Sequence, residues 1–203
     1  MDALIRHYDQ LVMEGNDPFR DPPVLRAYMD RWDGEPFLEL LALAPNVSAL
    51  EIGVGTGRLA GRVLPRCARL VGIDCSPRTI RRAQENLRGA EHLELLCGDF
   101  MTWPFEERFD RIYSSLTLWH IRDKRAAIDK AASLLAPGGR LVLSLSKECE
   151  RSLCCFEGVE VPLYPDDPAD TRRFMQEAGL IPIEERDTEF AHLLCAVAPD
   201  EPI

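Results

Sequence analysis

The spacing of apolar positions along the chain changes near residue 48. Before that point it is helical. Leu4, Tyr8, Leu11 and Val12 recur at three- and four-residue intervals, which predicts a helix over about 2–14. Glu14-Gly15-Asn16-Asp17-Pro18 ends it. Pro22-Pro23 opens a second helix to about Asp30, with proline in its first turn and Leu25, Tyr28, Met29 and Trp32 on one face. A turn at Trp32-Asp33-Gly34 leads into a third helix, Glu35 to Leu43, which stops before Pro45-Asn46.

From Ser48 strands and helices alternate. Apolar runs predict strands at 48–53, Ala68 to Asp74, Leu93 to Cys97, Phe109 to Ser115 and Arg140 to Ser146. Helices fill the gaps at about 57–66, from a Ser76-Pro77 cap to Leu87, and from Asp123 to Leu135. This alternation predicts a parallel sheet with right-handed crossovers and helices on both faces. After Ser146 the rhythm shifts. Cys154-Cys155-Phe156, Gly158 and Val159 to Leu163 read as a short hairpin, and Asp167-Pro168 starts a helix to Ala178. Strands at about 181–187 and 190–198 are too close for a crossover helix and are expected to pair antiparallel.

Composition narrows the partners. The 203 residues are enough for one domain, 1–203, with a helical prefix or lid (1–44), a core (45–148) and a tail (149–203). A net charge of -10 argues against nucleic acid. No apolar run of about 18 residues predicts a membrane span. The start carries no apolar leader, and seven cysteines without a CxxC pair suggest reduced thiols in a cytoplasmic protein. No His/Cys grouping has zinc-ligand spacing, so no metal is expected.

The candidate chemistry sits at the predicted carboxyl ends of the strands, where open α/β sheets bind ligands. After the first strand come Gly53, Gly55 and Gly57, a turn that bares backbone N–H groups. At the end of the second is Asp74, able to accept from two ribose hydroxyls. After the third, in Gly98-Asp99-Phe100, Asp99 can accept from an amino group and Phe100 can cover a ring. After the fourth are Ser114 and Ser115. Together these groups describe an adenosine site.

The same residues resemble the motifs of the class I S-adenosylmethionine-dependent methyltransferases. Leu50-Glu51-Ile52-Gly53-Val54-Gly55-Thr56-Gly57 is similar to that family's first motif, Leu70 to Ser76 to its second, and Cys97-Gly98-Asp99-Phe100 to its third. Phe109 to Ser115 and Leu134 to Val142 resemble the two later blocks. The resemblance implies a Rossmann-like three-layer sandwich. Its mostly parallel sheet of seven strands has order 3-2-1-4-5-7-6 with the last strand antiparallel. It also implies site roles. Glu51 helps fix the glycine turn and reaches the methionine amino group. Gly53, Gly55, Thr56 and Gly57 bring backbone to the methionine and ribose. Asp74 holds the ribose, Cys75 and Gly98 flank the adenine, Asp99 and Phe100 recognise it, and Ser115 contacts the methionine portion. Electrostatics agrees: Glu51 would repel a pyrophosphate and suits a cationic sulfonium.

Methyl transfer is an in-line displacement, and a general base is needed only if the acceptor must lose a proton. His120, in Leu118-Trp119-His120-Ile121, is the candidate base. Tyr8, Tyr28, Met29, Trp32 and Trp119 are candidate walls of the acceptor pocket, or alternatively plain core. With nothing large inserted between strands, a small-molecule acceptor is expected. The motifs do not specify the accepting atom (N, O, C or S) or a monomer over a homodimer. A catalytically inert sensor or scaffold that binds S-adenosylmethionine or S-adenosylhomocysteine is the other reading.

Overall fold

The computed structural model describes residues 2–147, 152–154 and 160–200. Three helices, α1 (Asp2–Met13), α2 (Pro23–Met29) and α3 (Gly34–Leu40), lead into β1 (Ser48–Ile52). Then follow α4 (Ala60–Val63), β2 (Arg69–Asp74), α5 (Pro77–Asn86), β3 (Leu93–Cys97), β4 (Phe109–Ser115), α6 (Lys124–Ser133) and β5 (Leu135–Ser146). The tail holds β6 (Ser152–Cys154), β7 (Glu160–Pro162), α7 (Pro168–Glu177), β8 (Ile181–Asp187) and β9 (Ala191–Val197).

Seven strands form one sheet in the order β3-β2-β1-β4-β5-β9-β8. The pairs among β1 to β5 are parallel, whereas β9 runs antiparallel to both β5 and β8. Counting only the sheet's own strands, this is the order 3-2-1-4-5-7-6 with an antiparallel last strand. β6 and β7 form the expected hairpin apart from the sheet. Cys155, Phe156, Gly158 and Val159, assigned to that hairpin from sequence, lie outside the described residues.

β1 is buried on both faces because it lies mid-sheet. Leu50 and Ile52 join Val71, Ile112 and Leu141 beneath Ile128 of α6 and Met175 of α7. Ala49 faces the other layer with Leu70, Tyr113, Phe37 of α3, Ala60 of α4 and Ile80 of α5. Among the described residues no helix is long and apolar enough to cross a membrane.

Three boundaries differ from expectation, each for a local reason. The predicted helix at 57–66 shortens to α4 and a 3-10 turn at Leu64–Arg66, because positive φ at Gly55 and Gly57 keeps residues 55–59 in the turn. α3 ends at Leu40, since Arg111 draws the carbonyls of Leu41 and Ala42 to its guanidinium. β5 begins at Leu135, which pairs with Phe109 before a register shift accommodates Pro137-Gly138-Gly139.

The prefix docks on the core through polar contacts. Asp9 of α1 accepts from the Ser76 hydroxyl (2.7 Å) and the Arg78 N–H (3.0 Å) at the start of α5. Buried Asp17 accepts from the Asn86 amide, which also donates to the Thr56 carbonyl in the glycine turn (3.0 Å).

Candidate active site

The carboxyl ends of β1 to β4 open onto a cavity of about 330 Å³. Glu51, Gly53, Gly55, Thr56, Asp74, Cys75, Gly98, Asp99, Phe100 and Ser115 line it, together with Tyr8, Met29, Trp119 and His120. Gly57, Tyr28 and Trp32 do not.

The glycines divide by job. Gly53 and Gly55 sit at φ +79° and +57°, a region that strains residues with a side chain. The N–H groups of Gly53 and Val54 both donate to the Ile73 carbonyl, which ties the turn to β2. A Cβ on Gly55 would meet nothing within 4 Å, so the cavity reaches bare backbone there. Gly57 instead makes room for a helix side chain: a Cβ would lie 2.8 Å from Leu87 Cδ1. Gly98 likewise yields to the Trp103 ring, 2.5 Å from a built Cβ.

Asp74 holds the turn from the next strand. Its Oδ2 accepts from the Gly55 N–H (3.1 Å) and its Oδ1 from the Ser76 N–H (2.9 Å). Each carboxylate oxygen keeps a second lone pair for a ligand. Asp99 accepts from the Met101 N–H (2.9 Å), and Phe100 is packed into the core beside it. Burial pushes the Cys75 thiol up to about 12, so this cavity wall is uncharged at neutral pH.

Glu51 is buried, and Tyr113 Oη donates to its Oε2 at 2.9 Å. Burial raises its pKa to about 8, against the pull of that hydrogen bond and of Arg58. The folded protein therefore keeps a proton that the unfolded chain loses near 4.5. Between those two values the native state binds more protons, so stability falls as pH rises through the window. Glu51→Gln is expected to remove that slope, which is worth a few kcal/mol (roughly 1.4 per pH unit). Urea unfolding at pH 5 and pH 8.5 measures it, and an equal slope in both proteins would place the ionised form in the native state.

Sequence reading missed the most buried charge of the site. Asp33 caps α3 by accepting from the Gly34 N–H (2.6 Å) and is fully buried. It pairs through both carboxylate oxygens with Arg58, just after the glycine turn, and accepts from the Ser115 hydroxyl at 2.7 Å. Burial alone would raise its pKa. The Arg58 hydrogen bonds and charge overcome this and hold it below the ordinary carboxylate value. Arg58 thus lines the cavity as a neutralised partner and not as a free cation. Ser115 is likewise committed to Asp33.

His120 ends a 3-10 turn, Leu118–His120, beyond β4. Its Nε2 lies 3.0 Å from Trp119 Nε1 and 2.7 Å from Tyr8 Oη. An indole N–H only donates, so Nε2 is the acceptor, the Tyr8 hydroxyl also donates to it, and the ring proton sits on Nδ1. Nδ1 is buried with no hydrogen-bond partner among the described residues. Burial lowers the His120 pKa to about 4, with the His7 and Lys124 charges adding to it. In the free protein the ring is neutral, and Tyr8 and Trp119 share its Nε2 lone pair. Tyr8 lines the cavity. For Tyr28 and Trp32 the structure matches the alternative of core packing. Trp32 packs its ring 4.6 Å from Phe190, and Tyr28 lies edge-on to both rings. They build a cluster beside the end of β5, where the Trp32 carbonyl accepts from Ser144.

Comparison with known proteins follows this geometry. Residues 50–143 match the family profile described as a methyltransferase domain. Nodulation protein S of Rhizobium tropici is 33% identical over 135 residues, covering 60% of this chain and 57% of that protein. An uncharacterised methyltransferase of Geobacillus kaustophilus is 34% identical over 140 residues, covering 68% and 60%. The chain thus spans somewhat over half the length of these curated relatives. The crystal structure of the N-methyltransferase NodS from Bradyrhizobium japonicum WM9, in complex with S-adenosyl-L-homocysteine, superimposes with TM-score 0.70. It is 25% identical and covers 98% of this chain and 97% of that one. In the motif blocks on their strand ends, in sheet order and in these likenesses, the chain is similar to the class I S-adenosylmethionine-dependent methyltransferases.

Proposed function

We propose that the protein transfers a methyl group from S-adenosylmethionine to a nitrogen of a small-molecule acceptor. The observation that carries the reading is the carboxylate-lined cleft at the ends of β1 to β3. There Asp74 and Asp99 border bare glycine backbone, and the lining Arg58 is neutralised by Asp33. That donor set fits a cationic adenosyl cofactor and would repel a pyrophosphate. Asp74 would hold the ribose hydroxyls, Asp99 the exocyclic amine, and Phe100 and Cys75 the adenine ring. Gly53 and Gly55 would meet the methionine part, with Glu51 toward its amino group. When bound, S-adenosylmethionine supplies an electrophilic methyl group on a good leaving group.

The residues of this chain then serve by positioning and by excluding water. Leu4, Tyr8, Met29, Leu116 and Trp119 wall the remaining space. A neutral amine attacks with its own lone pair, and the methylated ammonium sheds its proton to water after transfer, so that step needs no base at the moment of attack. Nitrogen is also the atom named for the NodS relative.

Calorimetry with S-adenosylhomocysteine tests the cofactor half of the reading. Asp74→Ala is expected to weaken binding by roughly 1–3 kcal/mol, about 5- to 150-fold, through the unmet ribose contact. Unchanged affinity would mean the ribose is held elsewhere, and no binding by wild type at millimolar ligand would end the reading. Formation of S-adenosylhomocysteine with an amine panel separates turnover from inert binding.

A further inference from the structure

Lys124 and Asp166 form a buried ion pair behind the acceptor wall. Lys124 is the first residue of α6, and Asp166 lies two residues before α7. Their side chains are 13% and 4% exposed, with Nζ 2.6 Å from Asp166 Oδ1. Asp166 Oδ1 has no well-formed hydrogen bond, so charge holds the contact. The same ammonium donates to the Leu118 carbonyl, at the head of the turn that carries Trp119 and His120. One residue along, the Tyr164 N–H donates to the Trp119 carbonyl at 2.7 Å. Val161 and Leu163 anchor this strap in the core.

A buried ion pair is a poor source of net stability, because desolvation offsets attraction. What it does supply is a fixed geometry between the elements it joins. Here those elements are the strap 161–166 and the 118–120 turn. The front of that turn presents Trp119 and His120 to the cavity, where they are joined to each other and to Tyr8.

We infer that Lys124 and Asp166 are positioning residues for methyl transfer, setting the Trp119–His120 wall against which the acceptor is seated. The inference rests on the transfer reading for its meaning in catalysis. Its structural claim stands on the free protein. Neither residue lines the cavity; the pair reaches it through the turn and through the Lys124 charge felt at His120.

The test replaces both charges at once. Lys124→Met with Asp166→Leu leaves no unpaired charge, so the thermal midpoint is expected to stay within about 4 °C of wild type and the S-adenosylhomocysteine Kd within about twofold. The Trp119 indole N–H, assigned by its loss in Trp119→Phe, is expected to exchange with solvent at least about tenfold faster as its bond to His120 opens. Transfer to the amine probes tyramine and 2-aminocyclohexanol is expected to fall by a similar factor in kcat/KM. Indole exchange indistinguishable from wild type would overturn the inference. Should the double variant not fold, Lys124→Gln with Asp166→Asn, which keeps both side chains polar and leaves no charge, is read the same way. If wild type methylates neither amine, the transfer reading loses support while the indole exchange still decides the placement of the wall.

Discussion

Asp33→Ala is expected to cost about 3–5 kcal/mol of folding stability, the range for removing one partner of a buried ion pair. For a chain of 203 residues that is a fall of roughly 10 °C in Tm. The mutation removes the carboxylate that pairs with Arg58 at both oxygens, receives the Ser115 hydroxyl and caps α3. Arg58, with a side chain only 14% exposed, keeps the longer ion pair with Asp30 at 4.0 Å. Exposed pairs such as Arg172–Glu185 are worth about 0–1 kcal/mol, so the same urea experiment with Glu185→Ala calibrates the scale. A second variant separates charge from packing. Asp33→Leu with Arg58→Met removes both charges and is expected to recover most of the loss. A loss below about 1 kcal/mol for Asp33→Ala would mean that water reaches the pair.

Asp33 also shows where reading the chain stops. Trp32-Asp33-Gly34 looks like a turn, and locally it is one, since Asp33 caps the next helix. Its partners lie 25 and 82 residues away, and no local pattern joins them. The strand ends were legible for the opposite reason. β1 and β2, buried on both faces, leave continuous apolar runs, and Gly53 past β1, Asp74 at the end of β2 and Asp99 beyond the edge strand β3 are placed by the strand ends themselves. Lys124 and Asp166 were invisible because a lone Lys and a lone Asp read as solvated positions. Tyr28 and Trp32 left two readings open because helical spacing shows that aromatics share a face without showing what the face meets. Gly57 and Gly98 belong to the motif, yet side chains from Leu87 and Trp103 occupy the space that a Cβ would fill.

Gly53→Ala is expected to weaken S-adenosylhomocysteine binding by about 100-fold or more, some 3 kcal/mol, far beyond a backbone preference. Two costs combine. An alanine at φ +79° carries about 1–2 kcal/mol of left-handed strain. Its Cβ would also stand 2.0 Å from Thr117 Oγ1 and 2.7 Å from Thr117 Cβ, and no rotamer of Thr117 moves its own Cβ. Either Thr117 or the glycine turn must shift. The turn is pinned to β2 through the Ile73 carbonyl, while Thr117 follows Leu116, itself held at φ +55°. Both walls of the cavity meet here, so a shift of either misplaces groups on the β1 and β4 ends together. Gly55→Ala separates the two costs, since it bears the strain with nothing within 4 Å and should leave stability within about 2 kcal/mol. Thr117→Gly in the Gly53→Ala background removes the clash and keeps the strain. It is expected to restore at least tenfold of the lost affinity, and no recovery at all would assign the whole effect to the backbone.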